Sequence, residues 1–107
     1  MKQLLFGLMA MAGATTVLAQ NPKTAMTNAA MSLEGYDSDR SKTEELEKAR
    51  EDIDFAAGHE KTQGDPKVWR YRGKIYNRIA FDAKLKGAYK DAGLKAVESF
   101  SKSWDLE

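Results

Sequence analysis

Residues Asp65-Pro66-Lys67-Val68-Trp69-Arg70-Tyr71-Arg72-Gly73-Lys74-Ile75-Tyr76-Asn77-Arg78-Ile79-Ala80 carry the plainest structural signal in the chain. An aspartate followed by proline marks a helix start, because the carboxylate accepts from exposed backbone N–H groups and the ring suits the first helical position. The spacing therefore predicts a helix from about Pro66 to Ala80. Val68, Trp69, Ile75, Tyr76 and Ile79 form a wide apolar band, as expected of a helix that meets neighbours on two sides. Gly73 in its middle costs about 1 kcal/mol relative to alanine, which requires a neighbouring helix passing too close for a side chain.

Working outward, Phe81 to Gly87 reads as a loop, and Tyr89, Ala92, Ala96, Phe100 and Trp104 then keep helical spacing toward the end. Upstream, Leu46, Ala49, Ile53 and Ala56 fall on one stripe of an amphipathic helix. Ser41 and Glu44 have the spacing of a capping box at its start; it stops near Gly58-His59, before a polar link. Ala25, Ala29, Ala30 and Leu33, with Met26 and Met31 read as core filling, predict an earlier helix ending near Gly35. Asn21-Pro22 reads as a lead-in and Tyr36 to Arg40 as a polar turn. No run alternates apolar and polar residues with β-branched enrichment, so the expected class is all-α.

Lys48-Ala49-Arg50-Glu51-Asp52-Ile53 aligns with Lys95-Ala96-Val97-Glu98-Ser99-Phe100 at an offset of 47 residues, which predicts two related helical hairpins, 25–61 and 65–107. In the second, Trp69-x2-Arg72-Gly73-x2-Tyr76 and Ala96-x3-Phe100 resemble the tetratricopeptide repeat, whose pattern is Trp-x2-Leu-Gly-x2-Tyr followed by Ala-x3-Phe. Arg72 stands where the family has leucine, the link between the helices is about ten residues too long, and the closing proline is absent. The stretch Trp69, Tyr71, Gly73, Lys74, Ile75 and Tyr76 also resembles repeat proteins exported by certain bacteria. A period of 47 lies in the range of HEAT-type repeats as well. The resemblance implies two antiparallel hairpins stacked as a short α-solenoid, with a groove lined by the first helix of each.

Ahead of this lies a positive start at Lys2, an apolar run from Leu4 to Ala14, and Val17-Leu18-Ala19, the small-x-small pattern that signal peptidases cut. The expected signal peptide is 1–19, cleaved after Ala19, with 20–24 as the lead-in of an exported, periplasmic or secreted chain. The run is shorter than the about 20 apolar residues a spanning helix needs, so the mature form is expected to have no membrane span. The sequence has no cysteine, which excludes disulfides and a lipidated cysteine after the cut.

From Gln20 onward basic and acidic residues number 16 each, which argues against wholesale nucleic-acid binding. The charges are segregated: 37–61 holds nine acidic and five basic residues, 65–95 three acidic and nine basic. With one histidine and no nucleophile motif, catalytic, metal and cofactor sites are not expected. His59 reads as a residue near a helix C-terminus, and Asp37 and Asp39 lack the rest of a calcium loop. The candidate binding surface is the stripe Lys67, Arg70, Lys74, Asn77 and Arg78, at steps of three, four and three as far as Asn77, with Arg78 four beyond Lys74. The family's groove geometry implies that it receives an acidic segment of a protein partner. The competing expectations are a solvated face or one turned toward the acidic surface of the preceding helix, a structural subunit that associates with itself, and a truncated piece of a longer repeat protein.

Overall fold

The computed structural model describes residues 20–107; the expected signal peptide lies outside the described residues. Four helices account for the architecture: α1 (Pro22–Ser38), α2 (Thr43–Gly58), α3 (Pro66–Phe81) and α4 (Ala92–Leu106). There is no strand among the described residues. α1 packs on α2 and α3 on α4 as two hairpins, while α2 packs against α3 and α1 touches α3 more lightly. None of these helices is long and apolar enough to cross a membrane.

Both hairpins open the same way. Asn21 Oδ1 accepts from the amides of Lys23 (2.9 Å) and Thr24 (3.3 Å), with Pro22 at the first helical position. Asp65 Oδ1 accepts from the amide of Lys67 (2.9 Å), with Pro66 next. Each cap satisfies N–H groups that have no partner within the helix. Residues 22–24, read from the sequence as lead-in, are therefore the first turn of α1.

The far end of α1 also differs from expectation. The helix runs past Gly35 to Ser38, and Tyr36 is buried rather than part of a polar turn. Its hydroxyl donates to Asp82 Oδ2 at 2.6 Å, joining α1 to the residue that ends α3. Asp82 Oδ1 in turn accepts from the amides of Lys84 (2.8 Å) and Leu85 (3.1 Å). Burial alone would raise this carboxyl, but the Tyr36 hydroxyl and the two amides outweigh it and hold it below the ordinary carboxylate value. The capping box does not form: Ser41 Oγ donates to Asp39 Oδ1 (2.7 Å), and α2 starts at Thr43 without a side-chain cap.

The core runs through all four helices: Ala29, Leu33, Leu46, Ala49, Ile53, Val68, Ile75, Tyr76, Ile79, Ala92 and Ala96. Alanines at Ala49, Ala56 and Ala96 let backbones approach closely. At Gly73 the approach is closest, since a Cβ there would lie 2.7 Å from the Phe100 ring.

α4 buries a different face from the one its aromatic spacing predicts. Ala92, Ala96, Ser99 and Ser103 point inward, whereas Trp104 and much of Phe100 face outward. The serines are tolerated because their hydroxyls are satisfied: Ser99 Oγ donates to Lys95 O (2.7 Å) and Ser103 Oγ to Pro66 O (2.9 Å). These small side chains let α4 lie close along α3, while the Phe100 ring takes the space over Gly73. The core band of α3 narrows likewise, since Trp69 is only half-buried and its indole N–H donates to Gln63 O at 2.7 Å.

Candidate partner-binding groove

α1 and α3 are the opening helices of the two hairpins, and a cavity of about 260 Å³ lies between them. Its walls are Thr27, Ala30, Met31, Leu33, Glu34 and Asp37 from α1 and Tyr71 from α3. Helical periodicity places Thr27, Met31, Glu34 and Asp37 in one row, at steps of four, three and three. Met31 is exposed, so it furnishes groove wall rather than the core filling read from the sequence; Met26 does pack against the core.

At one end the groove is closed by an ion pair between the helices. Arg78 Nε donates to Asp37 Oδ1 (2.9 Å) and Nη2 to Oδ2 (3.1 Å), a two-pronged contact that fixes both planes. Arg40 Nη2 lies 3.5 Å from the same carboxylate. The Arg78 hydrogen bonds hold the Asp37 carboxyl below its ordinary value, and the charges of Arg40 and Lys74 act in the same direction. Further along α3, Lys74 Nζ sits 5.3 Å from the centre of the Tyr71 ring, a cation–π spacing.

The five residues of the cationic stripe thus divide. Lys74 and Arg78 lie toward α1 and the groove. Arg70 turns the other way, its Nη2 bound to Glu107 Oε2 at 3.0 Å beside the end of α4. Lys67 is exposed at the start of α3 and Asn77 is half-buried. The acidic partners of the stripe come from α1 and Glu107, not from the acidic surface of α2.

Sequence reasoning missed Tyr71, Glu34 and Asp37 as groove residues. Tyr71 precedes Lys74 by three, a helical neighbour, and Glu34 and Asp37 are likewise three apart. That spacing was the available signal, masked by the reading of 36–40 as a turn.

Across α3, a second polar cluster takes up the residue that breaks the tetratricopeptide pattern. Arg72 Nε donates to Asp54 Oδ1 (2.9 Å) and Nη1 to Ser99 Oγ (2.8 Å), while Tyr76 donates to Asp54 Oδ2 (2.6 Å). Arg50 Nη1 lies 3.6 Å from that carboxylate and its guanidinium 5.0 Å from the Tyr89 ring. Burial, with the Asp54 contact, pushes the Tyr76 hydroxyl up to about 12. Arg50 Nε is buried without a hydrogen-bond partner, but Asp54, Arg72, Tyr76 and Ser99 are bonded to one another, so the cluster reads as a brace joining α2, α3 and α4. His59 is also occupied locally: Nδ1 accepts from the Lys61 amide (3.1 Å) and the ring packs on Phe55. Among the described residues, no three or more histidine, cysteine, aspartate or glutamate side chains are grouped to hold a metal ion.

Of the residues that carry the repeat resemblance, Gly73, Tyr76 and Ala96 are buried between α3 and α4; Trp69 and Phe100 lie at the edge of that contact. Searches against protein-family models, curated proteins and solved structures match nothing to the chain.

Proposed function

We propose that this chain is a non-catalytic protein-binding module of the tetratricopeptide type, exported to the bacterial envelope, that receives an acidic partner segment between α1 and α3. The observation that carries this reading is the α1–α3 cavity with an apolar and aromatic wall, Met31, Ala30 and Tyr71, beside the cation Lys74, Arg78 being engaged by Asp37 at the groove's end. Such a combination suits a peptide that inserts an apolar side chain and presents carboxylates to the rim. In tetratricopeptide arrays the opening helices of successive hairpins line the binding groove, and α1 and α3 are the opening helices here. The pairing of α2 with α3 across the two hairpins is what a short α-solenoid requires. Export rests on the residues of the expected signal peptide, 1–19.

The test is capture from an envelope extract by tagged residues 20–107, compared with Lys74→Glu and with Arg70→Glu/Lys74→Glu. Because Arg70 faces Glu107 rather than the cavity, Lys74→Glu alone accounts for most of the loss if the groove is used. Capture indifferent to both variants removes the groove reading and favours a structural, self-associating subunit.

A further inference from the structure

α4 presents an uncovered apolar flank beside its core contacts. Leu94 is 61% exposed, Val97 65%, Phe100 41% and Trp104 79%, a concentration of large apolar side chains that marks an interaction surface. Along it Lys90, Gly93, Val97, Phe100, Trp104 and Glu107 follow at steps of three, four, three, four and three. That series reads the same in both directions.

We propose that a second copy of this chain covers this face, with the two α4 helices antiparallel about a two-fold axis between Val97 and Phe100. The symmetry of the stripe sets the register: Gly93 of one copy faces Trp104 of the other, Val97 faces Phe100, and Lys90 faces Glu107. Each apposition is complementary. Nothing lies within 4 Å of the position a Cβ on Gly93 would take, so the glycine leaves an open recess for the indole. Gly73, by contrast, is filled from within the chain by Phe100. The charges agree, since Lys86 and Lys90 precede α4 while Asp105 and Glu107 close it. Antiparallel pairing sets basic end against acidic end, and parallel pairing would set like against like. A two-fold axis uses one patch on both copies and so closes the assembly at two. Val97, Phe100 and Trp104 offer on the order of 400 Å² per copy, so pairing covers about 800 Å² before the stems of Lys90 and Glu107 are counted, near the lower limit for a specific interface. The outer face of α1, with Lys23, Thr24 and Asn28, is polar and gives no matching surface for head-to-tail stacking.

This pairing is independent of the α1–α3 groove, which it leaves open. Sedimentation velocity on residues 20–107, which contain all four helices and their core, tests it from low to high micromolar concentration. The expected result is a reversible monomer–dimer equilibrium. Val97→Glu, at an exposed position, is expected to raise the dissociation constant at least about tenfold with an unchanged circular dichroism spectrum. Gly93→Leu, which fills the recess assigned to the indole, is expected to weaken the dimer likewise. A monomer at every concentration, a series extending beyond the dimer, or a dimer indifferent to Val97→Glu overturns the proposal. A dimer indifferent to Gly93→Leu overturns the antiparallel register.

Discussion

The Phe100 ring occupies the space above Gly73 so fully that a Cβ on the glycine would stand 2.7 Å from two of its carbons. This contact joins α3 to α4 in the second hairpin, and it explains why a helix tolerates glycine at its centre. Gly73→Ala recovers about 1 kcal/mol of helix propensity but forces the ring outward, at a cost of about 1–3 kcal/mol for overpacking. The expected net effect is a loss of about 1 kcal/mol in urea unfolding. In a Phe100→Ala background the same substitution is expected to change sign and stabilise, which unfolding of the double variant reads directly.

Asp54 is the hub of the brace behind α3, bonded by Arg72 and Tyr76 and close to Arg50. Arg72→Leu places here the residue that the tetratricopeptide pattern has at this position. It leaves Asp54 with Tyr76 and Arg50, and leaves Ser99 with its bond to Lys95 O, so the expected cost is within about 1 kcal/mol. Asp54→Ala strands two guanidinium groups and a hydroxyl that has lost its acceptor. Because the site is part-buried, the expected loss is about 2–3 kcal/mol. Equal losses in chemical denaturation of the two variants would show that Asp54 is not the hub.

Stability is expected to fall at both extremes of pH. The Asp37 and Asp82 carboxyls are held below the ordinary 3.8 in the fold. Their contribution is therefore present above that value and lost as pH drops through their lowered ones. At the other end, Tyr76 rises from 10.0 to about 12, so its contribution is complete below pH 10 and lost as pH climbs toward 12. Tyr76→Phe is expected to flatten the alkaline limb of the melting temperature profile, and Asp82→Asn to flatten part of the acid limb. An alkaline limb unchanged by Tyr76→Phe would contradict this assignment.

The starts of α1 and α3 were legible because Asn21-Pro22 and Asp65-Pro66 act through bonds two or three residues away, although only the second was read as a cap. Gly73 was legible because an unexplained cost in a helix demands a neighbour. The misread places depend on distant partners. Tyr36 is buried by its bond to Asp82, 46 residues on, and Ser103 faces inward because the Pro66 carbonyl receives its hydroxyl. The proposed groove was half legible: the spacing of the basic stripe follows from α3 alone, but its division between Asp37 and Glu107 depends on where α1 and α4 lie.

The central claim is that the α1–α3 groove receives an acidic segment, and amide chemical-shift mapping on labelled residues 20–107 titrated with acidic peptides carrying one apolar residue tests it most directly. The expected shifts cluster at Met31, Glu34, Tyr71 and Lys74, weaken with salt as exposed charges are screened, and disappear in Lys74→Glu. Shifts confined to α4, or none at concentrations that saturate weak peptide sites, would contradict it.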